Sequence, residues 1–508
     1  MNAPPRLCHV SLINDRTVFK KPPRYKCRAI HHEYKTTVLA TYRIMRLNTL
    51  VHAASSGKGR IDRVLFLSTV WPERTSSAAG VRTSDLVSSF LSRDIAVDFA
   101  ATSAIDERCK PHVEALEGLG ATPHVVQPNK ESEFIRTLDR VRPDLVVFDR
   151  FYVEEMFSWM VAKHMPDVMR VVDMQDVHSL RGWRELLLKE QLKERNDVQG
   201  DMSRQIDLSS IVSSIPPASY EPCLRELSSI YRSDLTLVCS PIELDLLANS
   251  FHVPSCLLQE AGFFSDGRRD NTFMDFTSRQ NVMMIGNFLH PPNKDSVLWA
   301  CTELWPAIRE QIGGDVRLDI YGAYGNEQAL VSKIGNPDKL GVRLCGWLPS
   351  LSSMAAYRLL FAPLRFGAGL KGKVVDAWEH GLPVITTVIG SEGMEGMEGP
   401  RTGGSRSAET WGGAGTATTA RQLIDDTVRL YTDKDAWNAA QSRADDILSH
   451  LYDRRTNLAD IHARIEAIHA KLPAVRKTNY TGALLANSQH RATEYFSRWI
   501  EIKNKTQV

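Results

Sequence analysis

From Arg63 onward one pattern repeats along the chain: a short apolar run, a helical stretch of mixed polarity, then another apolar run. The first half shows it in "RVLFLS" (63–68), "IAVDFA" (95–100), "PDLVVFD" (143–149), "VMRVVDM" (168–174) and "SDLTLVCS" (233–240). Runs of this length, rich in β-branched residues and separated by helix-length spacers, argue for a parallel sheet covered by helices. The second half repeats it in "NVMMIGN" (281–287), "VRLDIYG" (316–322), "VRLCGW" (342–347) and "LLFAPL" (359–364). Between the halves, "GFFSDGRRDNTFMDFTSRQ" (262–280) is rich in Gly, Asp, Ser and Arg, and a domain boundary is expected there. The reading is an α/β chain of two doubly wound, Rossmann-like domains facing a central cleft, over 61–262 and 281–451. A C-terminal helical segment over 452–508 follows. Residues 196–219, polar and carrying a Pro-Pro pair, break the rhythm and read as an excursion loop.

The stretch "RFGAGLKGKVVDAWEHGLPVITT" (365–387) places glycines and two lysines between two strand-like runs. Val374, Val375 and Trp378 give one apolar side to a helix from about Lys371 to His380, and Gly381 is placed to end it. A strand, glycine loop, helix and strand in this order bring a helix N-terminus to the carboxyl edge of a sheet, where anionic ligands bind. Lys371 and Lys373 add full charges beside the helix dipole, so a phosphate-bearing ligand is expected. The competing reading is a plain turn with a solvated Lys373–Asp376 ion pair at i, i+3.

Charge is unevenly distributed. Residues 1–60 hold 12 Lys and Arg against Asp15 and Glu33, and the remainder holds 50 against 58. A mildly acidic body lacks the basic face of a nucleic-acid binder. The basic, acid-poor first sixty residues have the composition of an organellar transit peptide; a basic tail or a start codon placed too early are the alternatives. The eight cysteines form no C-x-x-C pair, so neither a zinc site nor a disulfide framework is indicated. No long uncharged apolar run is present, and a soluble intracellular protein is expected, mitochondrial or otherwise organellar on the first reading of the N-terminus and cytoplasmic on the others.

The phrases "SSAAGVRTSDLVSSFL", "MIGNFLHPPNKDSVLWACTELWP", "LDIYGAYGN", "LCGWLPSLSSMAAYRLLFAPLRFGAGLKGKVVDAWEHGLPVITT" and "GSEGM" run in order along both halves. Together they resemble a GT-B-fold glycosyltransferase of group 1 (family 4, retaining). The resemblance implies a nucleotide-sugar donor of the UDP or GDP type, an unidentified acceptor, and neither cofactor nor metal. It assigns the diphosphate to Lys371, Lys373 and the amides of the loop from Gly367 through Gly369 to Gly372. It assigns the ribose to Asp376, the base to Gly346, Trp347 and Leu348, and phosphate contacts from across the cleft to Gly80, with Arg82 as a helper. Asp173 and His178, in "DMQDVHSLR", are implied to face the transferred sugar as catalytic residues, and Glu392 to contact it or supply a first-turn acid. The family's paired acids stand eight positions apart, and eight before Asp376 this chain has Ala368. The carboxylate that usually touches the donor sugar is therefore missing.

Three other readings stay open. Gly367, Gly369 and Gly372 spell G-x-G-x-x-G, with Glu392 about twenty residues on, as in an NAD-dependent oxidoreductase. Against that reading stand the two lysines, unexpected at a pyrophosphate held by amides, and the late position in the chain. A non-catalytic GT-B scaffold is kept open by Ala368, and a sugar-nucleotide epimerase of the same fold is the third. The single D-x-D, Asp433 to Asp435, reads as a helix cap. The glycine-rich residues 393–416 read as a flexible loop.

Overall fold

The computed structural model describes residues 59–197, 205–269, 274–323, 327–395 and 410–506. The N-terminal extension expected over 1–60 thus lies almost wholly outside the described residues. Strands β1 (Arg63–Ser68), β2 (Ala96–Ala101), β3 (Thr122–Val125), β4 (Leu145–Asp149), β5 (Met169–Asp173), β6 (Leu235–Val238) and β7 (Leu258–Glu260) form one parallel sheet in the order β3-β2-β1-β4-β5-β6-β7. A second parallel sheet holds β8 (Gln280–Ile285), β9 (Leu318–Tyr321), β10 (Val342–Gly346), β11 (Tyr357–Ala362), β12 (Val384–Thr387) and β13 (Gly413–Ala417) in the order β10-β9-β8-β11-β12-β13. Both are doubly wound. Chain direction across each sheet reverses once, between β1 and β4 and between β8 and β11, and ligands of such sheets bind at the carboxyl ends beside that switch.

The apolar runs exist because both faces of each sheet are covered. In β1, Val64 and Phe66 enter one buried cluster while Leu65 and Leu67 enter another. In β8 the same alternation sends Val282 and Met284 one way and Met283 the other. Buried on both sides, these strands read as continuous apolar runs. The chain end belongs to the first of these packing arrangements: Ile461, Ile465, Ile468 and Leu472, from helices Arg454–His469 and Leu472–Thr478, sit in the cluster with Val64 and Phe66.

Several expectations need correction. Residues 196–219 are not simply a loop: helix His178–Asp197 runs into the segment, and a helical turn, Leu208–Ser213, buries Leu208 and Ile211. Residues 198–204 lie outside the described residues. The glycine-rich segment ends as a strand, since Gly413–Ala417 pairs with β12. Trp411 anchors it, fully buried, with its indole N–H donating to the Val384 carbonyl at 3.0 Å and its ring 4.7 Å from that of Trp378. Asp433 behaves as read, capping helix Lys434–Leu451 by accepting the amides of Asp435 and Ala436. Among the described residues, no helix is long and apolar enough to cross a membrane.

Candidate functional site

Strand β11 leads through residues 363–371 into helix Gly372–Glu379 and back to β12, parallel to β11. Val374, Val375 and Trp378 are buried beneath the helix, and Gly381, at φ 62°, closes it by donating its amide to the Trp378 carbonyl. Lys371 stands at the N-cap and contributes no side-chain cap among the described residues. The Val374 amide donates to the Lys371 carbonyl at 2.9 Å, and the helix start carries two lysines, as suits an anion-binding helix N-terminus.

The lysines differ in setting. Lys371 is 7% exposed, and its Nζ donates to the Gly369 carbonyl at 2.6 Å. Burial pushes its pKa below the ordinary lysine value, with Glu392 opposing that shift. Lys373 donates to Asn293 Oδ1 at 2.7 Å instead of to Asp376. Burial brings it down to about 8, against the pull of Asp376. Asp376, one turn further on, is raised by burial and by Glu379 to about 7, with Arg269 and Lys373 opposing. A small cavity at the end of β8 joins this corner, lined by Gly286, Phe288, Asn293, Ser296, Tyr321 and Lys373. The buried Ser296 hydroxyl has no hydrogen-bond partner among the described residues.

The first domain closes tightly on the glycine loop. A Cβ at Gly369, which has φ 65°, would lie 2.7 Å from Asp176 Cβ, and one at Gly372 would lie 2.3 Å from Ala78 Cβ. Only glycine permits both approaches. The Gly369 amide donates to Glu243 Oε1 at 2.6 Å, and Glu243 also accepts the Val177 amide at 3.1 Å. Burial and Asp176 raise the Glu243 carboxyl to about 8, against the two amides and Lys371. Burial thus disfavours its charged form, beside a loop expected to receive phosphates. Gly80 lies in the first turn of helix Ala78–Leu91, with its amide 3.2 Å from the capping Ser77 hydroxyl. Gly346 ends β10 and accepts the Gly322 amide at 2.8 Å. Trp347 is half exposed and donates from its indole to the Thr75 carbonyl at 3.2 Å, while Leu348 is buried with Val374 and Val375.

Arg82 and Asp173 do not present themselves as the resemblance implied. The Arg82 guanidinium is buried, pairs with Asp173 Oδ2, and donates to the carbonyls of Ala261 and Gly262. With its donors turned inward, it reaches a phosphate only if this network breaks. Asp173 is 2% exposed, and its other oxygen has no hydrogen-bond partner among the described residues. Burial raises its pKa, and Arg82 only partly offsets this. His178 begins the helix that follows β5, with Nδ1 2.8 Å from Asp176 Oδ1. Burial works against its charged ring, but Asp176 outweighs burial and raises its pKa. Asp176 also pairs with Arg181. Glu392 is held by Arg184 in a bidentate pair at 2.6 and 2.7 Å, and Arg184 also donates to the Gly367 carbonyl at 2.9 Å. Glu392 therefore acts as a tie between the two domains through this arginine.

Sequence reasoning passed over Asp176, Arg181, Arg184, Glu243 and Asn293. Three of them were detectable as a group: Asp176 precedes His178 by two, and Arg181 and Arg184 follow at i+3 and i+6, on one side of the helix start. Glu243 and Asn293 carried no comparable signal.

Two parallel, doubly wound sheets meeting at this corner define a GT-B architecture. Residues 279–410 match the model of the family described as glycosyl transferases group 1. The fold resembles that of TarM from S. aureus, solved with UDP (8% identity, covering 79% of this chain and 99% of that one, TM-score 0.56). It also resembles HepE from Anabaena, solved with UDP and glucose (14%, 80% and 100%, TM-score 0.54), and sucrose-phosphate synthase from Thermosynechococcus elongatus (11%, 80% and 99%, TM-score 0.53). An uncharacterized 44.6 kDa protein of the cps region in Klebsiella pneumoniae is 29% identical over 118 residues, which is 22% of this chain and 30% of that protein.

Proposed function

We propose that this protein transfers a sugar from a UDP- or GDP-sugar to an acceptor, with retention at the anomeric carbon and without a metal. The observation that carries the reading is that Lys371 and Lys373 stand together at one helix start, behind a loop whose Gly369 packs against Asp176, the partner of His178. Departure of the leaving group places negative charge on a nucleoside diphosphate. Fixed cations and helix amides that grip it more strongly in that state lower the barrier. Lys373 and Lys371 supply the cations, Asp376 accepts from the ribose hydroxyls, and Gly346, Trp347 and Leu348 line the base. Gly80 and its neighbouring amides meet the phosphates from the other side. Arg82 holds Asp173 in place at the end of β5. His178, with Nδ1 turned to Asp176, offers Nε2 toward the sugar. Complexes of HepE with UDP-glucose and of TarM with UDP support the donor class by analogy.

Incubation with UDP- and GDP-sugars, followed by NMR, tests this. Slow donor hydrolysis that keeps the donor's anomeric configuration and is insensitive to a chelator is expected. An inverted product would overturn retention, and loss of turnover on chelation would overturn the metal-free reading. Nucleotide binding without turnover of any sugar donor would favour the scaffold, with Ala368 as the cause.

A further inference from the structure

The last described helix, Arg491–Thr506, is mounted inside out. At about 100° per residue Tyr495, Phe496, Trp499 and Ile502 share one side, and they are 69%, 60%, 56% and 63% exposed. The opposite side, which also carries the half-buried Ile500, meets the protein through polar groups. Ser497 is 4% exposed and donates to Asn129 Oδ1 at 3.2 Å, and Glu494 accepts from Lys163 at 2.7 Å. A helix that served only the fold would bury the aromatic side.

The exposed face is ordered and bordered by cations. Phe496 and Trp499 stack with centroids 6.0 Å apart, and the Lys503 ammonium lies 5.1 Å from the Trp499 ring. Arg491 borders the other edge, exposed, beside Arg498, which pairs with Glu494 at 2.7 Å and Glu131 at 3.5 Å. Residues 471–508 carry seven Lys and Arg against two Glu, while residues 61–470 carry 43 against 56. Within residues 61–508, positive charge and exposed aromatics therefore coincide on one segment of an otherwise acidic body. A second copy docking face to face would bring the basic edges of the two faces, with Lys503 and Arg491, toward one another. An anionic bilayer suits both features, since aromatic rings settle at the headgroup level and basic residues meet the anionic lipid.

We propose that helix Arg491–Thr506 is an interfacial anchor that lays its aromatic face on an anionic membrane surface. Residues 61–470, with 43 Lys and Arg against 56 acids, are repelled from that surface, so within residues 61–508 contact is confined to this end.

Cosedimentation of the full chain with vesicles tests this, using phosphatidylcholine alone and phosphatidylcholine with about one third phosphatidylserine. Binding to the anionic vesicles, weakening as salt rises, is expected. Phe496→Ser combined with Trp499→Ser should weaken it by about tenfold or more, with an unchanged melting temperature because neither side chain is buried. Equal vesicle binding by the parent and the double variant would overturn the proposal, as would no binding to anionic vesicles. A dimer in sedimentation velocity that the double substitution dissolves, without vesicle binding, would assign the face to a second copy and overturn it too.

Discussion

If Lys373 holds a phosphate and Asp376 holds the ribose, nucleotide-sugar affinity must pass through a maximum between their two pKa values. Lys373, at about 8, binds an anion best when protonated, so affinity is constant below that pH and falls above it. Asp376, at about 7, accepts from hydroxyls best when ionised, so affinity is constant above that pH and falls below it. Near pH 7.5 about three-quarters of each group is in the binding form; at pH 9 about one lysine in eleven is charged, and at pH 6 about one aspartate in eleven is ionised. Each limb should therefore weaken binding by about tenfold, or about 1.4 kcal/mol, over those ranges. A nucleotide sugar is the right ligand because its diphosphate is esterified at both ends and has no titration of its own there. Isothermal titration from pH 6 to pH 9 reads the profile. Lys373→Met should reduce the alkaline limb to the part that Lys371 contributes, and Asp376→Asn should flatten the acid limb, each at reduced overall affinity. A flat profile in the parent protein, or two variants that leave both limbs intact, would refute the assignment of these groups to the ligand.

Other consequences are separable from this one. Glu392 supports the charge of Lys371, so Glu392→Gln should bring the alkaline loss of nucleotide binding to lower pH; an unmoved limb would dissociate the two residues. Gly369→Ala imposes a left-handed residue, costing about 1–2 kcal/mol, and a Cβ 2.7 Å from that of Asp176. It should weaken nucleotide affinity by about tenfold, and unaltered affinity would show that closure at this point is not needed. Glu154 and Arg232 form a buried pair at 0% and 5% exposure. Glu154→Ala strands the arginine and should cost about 3–5 kcal/mol in chemical denaturation, while a loss under about 1 kcal/mol would show that solvent reaches the guanidinium.

Apart from β10, an edge strand in which only Val342 is buried, the strands visible in the sequence were those buried on both faces, where burial demands an unbroken apolar run. All five residues of β4 are buried, and the segment stood out at once. The strands passed over lack that demand: β3 and β7 lie at the sheet's two edges, and β13 is built from Gly, Ala and Thr beside Trp411. The glycine loop and its helix were legible because spacing alone fixes a helix face and its end. The partners of that loop were not. Glu243 meets Gly369 from 126 positions away and Arg184 meets Glu392 from 208 away, and no local pattern encodes a contact between domains. The same limit explains Arg82, a basic residue after a glycine-bearing turn whose inward direction is set by Asp173 and the Ala261 carbonyl, far along the chain.

The most direct test of the nucleoside-diphosphate site is a thermal shift with UDP, GDP and NAD on the parent protein and on Lys371→Ala combined with Lys373→Ala. A ligand that binds only the folded state adds about 2.7 kcal/mol at a hundredfold excess over its dissociation constant. UDP or GDP should raise the melting temperature of the parent, NAD should not, and the double variant should show no shift with either nucleotide. Protection by NAD, with none from any nucleoside diphosphate, would contradict the account and make the G-x-G-x-x-G at Gly367, Gly369 and Gly372 a dinucleotide fingerprint.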